Sequence, residues 1–257
     1  MCVAAFAWQA HPRWRLVAIG NRDEYHARPA AALDRWQDGS GIIAGRDLQS
    51  GGTWLGISGA GRFALVTNLR GYGEPQPDRV SRGALVTDLL TGEGRYADPA
   101  GAALMDFNPF NLILADREQA SFLSNRPEEL RTSLAHGIYG LSNGTLDEPW
   151  SKVLQLKAAL LDWLNGPGEH GGEDFAPLFA ALRNEKLADV GVPPREPSDV
   201  PLEAPETPVF INGPIYGTRC STVVAIDHRG GGTIAEQRFS PQGESTGESF
   251  ITFRWPG

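Results

Sequence analysis

The chain has 257 residues, which is enough to bury a core in one large domain or two small ones. Hydrophobic residues make up 41% of it and charged residues 21%, as in ordinary folded domains, so disorder is not the starting expectation. The 23 Lys and Arg against 31 Asp and Glu give a net charge of −8, and no basic run is present. These values argue against binding to nucleic acid.

The lengths of the apolar runs and the number of cysteines further limit the class of protein. The longest apolar stretches, such as LVAIG, are too short to cross a bilayer, so no transmembrane segment is expected. The N-terminus lacks a basic segment before its apolar run, unlike a signal peptide, and we therefore expect a cytosolic protein. With only Cys2 and Cys220, neither a disulfide framework nor a zinc site is expected.

The first part of the chain predicts β-structure. Strands are predicted at residues 3–8, 15–20, 42–45, 53–58 and 62–68. The first two and the last two of these runs are separated by short turn-like segments, so each pair favours an antiparallel hairpin.

Helices and further strands follow in groups. Helices are predicted at 81–92, 98–107, 149–166 and 174–184, the first with Ser81 as N-cap and Gly92 as its stop. Strands are predicted at 111–116, 120–125, 136–143, 208–213, 217–228, 231–240 and 248–255.

The order of these elements favours an α+β fold in one domain, residues 1–257. Because helices come in consecutive groups rather than alternating singly with strands, antiparallel sheets with helices on their outer faces are expected. The Pro-rich, acidic segment at about 190–208 is predicted to be a linker or surface loop.

Cys2 stands directly behind the initiator methionine. We expect Met1 to be removed, because cysteine is a small second residue, and Cys2 would then carry a thiol and a free α-amine. An α-amine, with a reference pKa of ~7.7–8.0, can accept the thiol proton and activate the nucleophile. Position alone leaves open the alternative that Cys2 is an inert, buried hydrophobe.

Arg22 and Asp23 follow the second strand of the first hairpin. Hairpin geometry would bring them back beside Cys2, where a guanidinium favours the thiolate and a carboxylate can orient an α-ammonium group. The alternative is a charged pair in a surface turn.

Several motifs together carry a family resemblance. They are NRDE (21–24), AGRDLQSGGTWLGI (44–57), GRFALVTNLR (61–70), GLSNG (140–144) and GTRCSTVVAID (217–227). At this spacing, behind Met-Cys, they resemble the NRDE family, also called the transport and Golgi organization 2 family, along the whole chain. That family is similar to the cysteine-headed N-terminal nucleophile hydrolases, which include bile-salt hydrolases and penicillin V acylases. The resemblance implies an αββα sandwich.

The same resemblance implies catalytic roles. Cys2 matches the nucleophile, and Arg22 and Asp23 match its supporting pair, although they are adjacent here and spaced apart in the hydrolases, which leaves their individual roles open. Asn143 matches an oxyanion donor and Arg219 a late arginine that completes the site. On its own, Asn143 would be interpreted as a turn residue.

Further residues are predicted to contact substrate: Asn21, Glu24, Arg46, Asp47, Trp54 and Asn68. Asn68 is a candidate second oxyanion donor. Gly51 and Gly52 would allow a tight bend or close backbone approach. A pocket wall and a purely structural turn are both open interpretations of this block.

Two functional classes follow. The first is a cysteine amidohydrolase that cleaves a non-peptide C–N bond of a small amphipathic acyl substrate through a thioester, without a metal or a required cofactor. The second is a carrier for haem, acyl-CoA or lipid, because the resemblance implies haem trafficking, acyl-CoA handling and secretory organisation. His26 is a candidate for an axial haem ligand, and the alternative is a solvated loop histidine. The oligomeric state is left open.

Overall fold

The computed structural model describes residues 2–166, 174–186 and 207–256. The strands are β1 (Cys2–Trp8), β2 (Trp14–Tyr25), β3 (Ala30–Arg35), β4 (Ile42–Asp47), β5 (Leu55–Ser58), β6 (Arg62–Asn68), β7 (Phe110–Ala115), β8 (Ala120–Ser124), β9 (Leu130–Ser133), β10 (Gly137–Leu141), β11 (Tyr216–Asp227), β12 (Gly231–Phe239) and β13 (Ser245–Arg254). The helices are α1 (Arg82–Thr91), α2 (Ser151–Leu164) and α3 (Ala176–Leu182).

The strands form two antiparallel sheets that pack face to face. The first sheet has the order β10-β1-β2-β11-β12-β13, and the second runs from β3 to β9 in chain order. Helices α2 and α3 cover the outer face of the first sheet, and α1 covers the outer face of the second. The predicted αββα sandwich is therefore confirmed.

Alternation along β1 shows why the first sheet is buried on both sides. Ala4, Phe6 and Trp8 belong to the core between the two sheets, whereas Val3 and Ala5 belong to the core beneath α2 and α3. Residues of opposite parity thus face different layers. A strand buried on both faces has its register strongly specified.

Several predicted elements are confirmed. Helix α1 begins after Ser81, whose hydroxyl accepts a hydrogen bond from the Gly83 N–H at 3.2 Å, and ends at Gly92 with a φ of 75°. The β1–β2 and β5–β6 hairpins both form. Strand β2 continues to Tyr25, five residues beyond its predicted end, because the polar NRDE segment remains paired in the sheet.

Two predicted elements are wrong. Within 98–107 only a 3₁₀ turn forms, at Leu104–Asp106, because the side-chain amide of Asn125 binds the carbonyls of Leu104 and Phe107 and holds them out of a helical pattern. Residues 208–213 form no strand. They run as a loop in which the Val209 carbonyl accepts a side-chain hydrogen bond from β2.

Strands β3 and β9 were not predicted. Their residues are largely exposed, so they lack the apolar alternation that marks a strand in a sequence. The prediction for 190–208 falls mostly outside the described residues. Within the part of the chain that the structure describes, no helix combines the length and the hydropathy needed to span a bilayer.

Candidate functional site

Cys2 lies at the start of β1, directly opposite Arg22 on β2. Directly opposite residues of an antiparallel pair share a face, and here that face is the one between the two sheets. Cys2 is half-buried and Arg22 is buried. The backbone N–H of Asp23 hydrogen-bonds the Cys2 thiol. The hairpin therefore pairs Cys2 with Arg22 and sets the Asp23 backbone beside the thiol.

The Arg22 guanidinium is held from two sides. Its Nη2 lies 3.2 Å from Asp47 Oδ2 and 3.9 Å from Glu24 Oε2. Its Cζ lies 4.5 Å from the centroid of the Trp54 ring, within the range of a cation–π contact. Its Nη1 is buried and has no hydrogen-bond partner among the described residues. One edge of a fixed guanidinium is thus available to another group.

The two cysteines differ in environment. Burial raises the pKa of the Cys2 thiol, while Arg22 and the Asp23 N–H act in the opposite direction. The expected effect of Arg22 on the thiolate is therefore present but is outweighed by burial. Cys220 lies opposite Arg22 on the other side of β2, and burial raises its pKa well above the usual value. Its thiol donates a hydrogen bond to Glu236.

Asp23 faces the helical layer, on the other side of the sheet from Arg22. Its Oδ1 accepts a hydrogen bond of 2.7 Å from the Thr218 hydroxyl, and its backbone carbonyl accepts one of 2.8 Å from the Tyr216 hydroxyl. Burial raises the pKa of Asp23 to about 6. This carboxyl can therefore change its charge close to neutral pH.

Lys152, in the first turn of α2, is a site residue that sequence reasoning missed. It is only 1% exposed, and its Nζ lies 2.8 Å from the Thr207 hydroxyl. Burial lowers its pKa to about 8, and its electrostatic interactions with Asp23 and Cys2 act against that shift. A signal was present in the sequence, because Lys152 stands four residues before Leu156 on the apolar stripe of the helix.

Asn143 lies on the opposite flank of Cys2 from Arg22. The Ser142 hydroxyl donates a hydrogen bond of 2.7 Å to the Cys2 carbonyl, which holds the segment after β10 against β1. The Asn143 Nδ2 donates to the Asn68 carbonyl at 2.7 Å, and the buried Asn143 Oδ1 has no partner among the described residues. The Asn68 residue itself is exposed.

Three other predicted site residues make contacts away from Cys2. The Asn21 Nδ2 donates to the carbonyls of Leu182 and Val209, so it ties β2 to the helical layer. Arg46 stacks on Trp36 and pairs with Asp38. Arg219 donates through Nη1 to three carbonyls at the end of β2 and in the loop after it, those of Tyr25, His26 and Arg28.

The GRDLQSGGTWLG block is both a turn and a wall of the site. Asp47 Oδ1 accepts hydrogen bonds of 3.0 Å from the backbone N–H groups of Gln49 and Ser50, which closes the turn. A Cβ on Gly52 would overlap the backbone of Gly83, so only glycine permits the turn to touch α1. The block then places Trp54 beside Arg22.

A narrow cleft opens at Cys2 between the two sheets. It is lined by residues of β1, β2, β5, β6 and β11, namely Cys2, Val3, Ala4, Gly20, Asn21, Arg22, Trp54, Leu55, Leu65, Val66, Thr67 and Thr222. Its volume is about 10 Å³, which is about the room that one water molecule needs. Over residues 2–166, 174–186 and 207–256, no group of three or more His, Cys, Asp or Glu is placed to hold a metal ion.

Comparison with known proteins decides the family. The model of the family described as transport and Golgi organisation 2 matches residues 1–241. The chain belongs to this family. It is 34% identical to the transport and Golgi organization protein 2 homolog of Bos taurus and 33% identical to that of Homo sapiens, each over 92% of both chains. The Drosophila melanogaster protein of the same name is 30% identical over 88% of both chains.

Solved structures support the fold of this family member. The chain is similar to a Caenorhabditis elegans N-acylethanolamine-hydrolyzing acid amidase ortholog, with a TM-score of 0.50 and 14% identity over 86% of this chain and 92% of that one. It is also similar to the C2A mutant of conjugated bile acid hydrolase from Clostridium perfringens, with a TM-score of 0.55 and 8% identity over 100% and 97% of the two chains. At these identities the likeness shows the N-terminal nucleophile hydrolase fold alone.

Proposed function

We propose that this member of the transport and Golgi organisation 2 family is a cysteine amidohydrolase that cleaves a non-peptide C–N bond of a small acyl substrate. One observation carries the proposal. The half-buried Cys2 thiol lies in a cleft at the start of a central strand, opposite the buried Arg22, whose Nη1 has no partner among the described residues.

The first half of the reaction forms a thioester. Removal of Met1 leaves Cys2 with a free α-amine, which takes the thiol proton as the sulfur attacks the acyl carbonyl carbon. The negative charge that develops on the carbonyl oxygen is stabilised by the guanidinium of Arg22, which lies opposite Cys2. The C–N bond then breaks, and the α-ammonium group returns its proton to the leaving amine.

The second half releases the acid. Water attacks the thioester carbon, its proton passes to the α-amine, and the thiol leaves with that proton. Because burial raises the pKa of Cys2, the thiol needs this proton acceptor before it can attack. We assign to Asp23, one residue beyond Arg22 on β2, the role of orienting the α-ammonium group. No cofactor is needed, and two free cysteines suit a cytosolic setting.

The relatives support the reaction class indirectly. The two solved structures to which the chain is similar are named as an amide-hydrolysing enzyme and a hydrolase, and one of them carries a C2A substitution. The carrier alternative for haem is less well supported, because its candidate axial ligand is already engaged by another contact. The Nε2 of His26, the candidate haem ligand, is engaged with the Gly213 carbonyl at 2.8 Å.

The decisive experiment traps the acyl-enzyme. Untagged protein is purified, its intact mass is measured, and it is mixed with coumarin amides of acyl chains from two to fourteen carbons. We expect a mass without Met1, turnover of at least one amide, and an acyl adduct on the peptide that begins with Cys2. Retention of the methionine, or the absence of turnover and adduct across the whole series, would reject the proposal.

A further inference from the structure

Two buried polar atoms without partners flank Cys2. Arg22 Nη1 is a donor and Asn143 Oδ1 is an acceptor, and neither has a hydrogen-bond partner among the described residues. Both residues are at least nine-tenths buried. Since buried polar groups in folded proteins are nearly always satisfied, a missing donor and a missing acceptor at one place indicate a ligand that supplies both.

The orientation of the Asn143 amide follows from its other contact. Its Nδ2 donates to the Asn68 carbonyl oxygen at 2.7 Å. If the amide were turned over, Oδ1 would face that carbonyl oxygen, and two acceptors would stand at hydrogen-bond distance. The oxygen is therefore the atom that lacks a partner.

The two atoms lie on opposite sides of the nucleophile. Strand β1 runs between β10 and β2, and Cys2 pairs with Arg22 on β2. On the other side, β10 ends at Leu141, which pairs with Ala4, and the next residue, Ser142, donates its hydroxyl to the Cys2 carbonyl at 2.7 Å, so Asn143 directly follows a residue bound to Cys2. The Asn143 Nδ2 also donates to the Asn68 carbonyl at the end of β6, which links the segment after β10 to the second sheet.

We propose that Arg22 and Asn143 together recognise a trans secondary amide, with its carbonyl oxygen toward Arg22 and its N–H toward Asn143 Oδ1. In a trans amide these two groups point in opposite directions, which matches a donor and an acceptor on opposite flanks of the attacking sulfur. The site is then selective for substrates with an amide N–H over esters, thioesters and tertiary amides. The inference rests on the proposed hydrolase function.

This assignment differs from a purely oxyanion-binding role for Asn143. An oxyanion donor acts on amides and esters alike, because both develop negative charge on the carbonyl oxygen. An acceptor for the N–H acts on the amide alone. The two roles can therefore be separated by comparing substrates that differ only at this atom.

The test uses matched substrates on the full chain. They are the octanoyl amide of 7-amino-4-methylcoumarin, its N-methyl derivative, and the octanoyl ester of 4-methylumbelliferone, with the acyl length adjusted to the best found above. In the unmodified protein, kcat/KM for the N–H amide should exceed that for the N-methyl amide by about 10-fold or more, as expected for one buried hydrogen bond. Equal values would overturn the inference without any variant.

Substitutions at Asn143 provide the second arm. Asn143→Leu, which has no acceptor, should lower kcat/KM for the amide at least about 10-fold more than for the ester. Asn143→Gln, which keeps both an amide donor for the Asn68 carbonyl and an amide oxygen, should retain more of the amide-to-ester ratio than Asn143→Leu does. An equal loss on both substrates in Asn143→Leu would assign Asn143 to the oxyanion and overturn the inference, while leaving the hydrolase intact. If neither substrate acylates Cys2 in the unmodified protein, the hydrolase proposal itself fails.

Discussion

Arg22 and Asp23 are consecutive residues of β2 and consequently lie on opposite faces of the first sheet. Arg22 faces the second sheet, where it contacts Trp54, and Asp23 faces the helical layer, where it binds Thr218. Their adjacency, which left their roles open in the sequence, therefore places the two side chains on different faces of the sheet. In the proposed mechanism, Arg22 acts on the thiol and the acyl group, and Asp23 acts from the other face of the strand.

Asp23 should leave a pH signature in stability. The folded chain holds the Asp23 proton up to a pKa of about 6, whereas the unfolded chain releases it near 3.8. Raising the pH through this window therefore lowers the free energy of unfolding, by about 3 kcal/mol for a shift of this size. Denaturant unfolding of the unmodified protein and of Asp23→Asn should be measured from pH 3.5 to 7. The free energy of unfolding should decline in the unmodified protein and should not decline in Asp23→Asn. A decline of equal size in both proteins would contradict the assignment.

Lys152→Met should move the acidic limb of the kcat/KM profile to higher pH. Removing a cation raises the pKa of nearby acids, and both Asp23 and the thiol site interact with Lys152. Lys152→Arg is the matched control, because arginine keeps the charge. Profiles for the three proteins between pH 4.5 and 9 provide the measurement. If Lys152→Met lowers kcat but the acidic limb of the kcat/KM profile stays at the same pH, Lys152 has only a packing role.

Cys2 should react with iodoacetamide much faster than Cys220. Cys2 is half-buried at the mouth of a cleft, whereas Cys220 is 3% exposed and its thiol is hydrogen-bonded to Glu236. Peptide mass spectrometry at timed intervals gives both rates on one sample. In the Cys2→Ala control, where Cys220 is the remaining cysteine, labelling should be slow at every time point. Comparable rates for the two cysteines would remove the case for an accessible nucleophile.

Cys2→Ala should abolish amide turnover and change stability little. The substitution deletes the proposed nucleophile, while the loss of one sulfur atom from a half-buried position should cost about 1 kcal/mol or less. Turnover and the melting temperature should be measured together with titrations of haem and a long-chain acyl-CoA. Full turnover in Cys2→Ala would refute the mechanism, and saturable binding unaffected by the substitution would favour the carrier alternative.

Gly45→Ala should disturb the site from a distance. A Cβ at Gly45 would overlap the Trp54 ring, which stacks on Arg22, so the ring and the guanidinium must shift together. We expect a stability loss of about 1–3 kcal/mol and a fall in kcat/KM. Gly59→Ala is the control, because a Cβ there meets only the Gly41 carbonyl at 3.8 Å. Full activity in Gly45→Ala would show that the Trp54 contact is dispensable.

Local patterns in the sequence predicted much of this arrangement. Two apolar runs joined by a short turn specified the β1–β2 hairpin, and the pairing of Cys2 with Arg22 followed from it. Capping residues located α1. Strict alternation could also have separated Arg46 from Asp47, since adjacent strand residues face opposite layers.

Other features depend on contacts that no local pattern records. The apolar stripe of α2 indicates that Lys152 is buried, but only the packing of the helix on the first sheet shows that it interacts with Asp23. Asn143 Oδ1 has no partner among the described residues, and the orientation of its amide is set by the hydrogen bond from Nδ2 to Asn68, 75 residues away in the chain. Strands β3 and β9 form because neighbouring strands offer hydrogen bonds, not because their own residues are apolar.

The register of β1 makes the length of this short segment as informative as its composition. One residue inserted between Cys2 and Val3 would move the cysteine opposite Asp23 and turn its thiol to the helical layer, with every later residue of the strand unchanged. An insertion in the turn at 9–13 would instead lengthen a surface loop and leave the pairing intact. The position of the thiol is therefore fixed by the number of residues between Cys2 and the buried part of β1. A cysteine shifted by one residue would face the helical layer instead of the cleft.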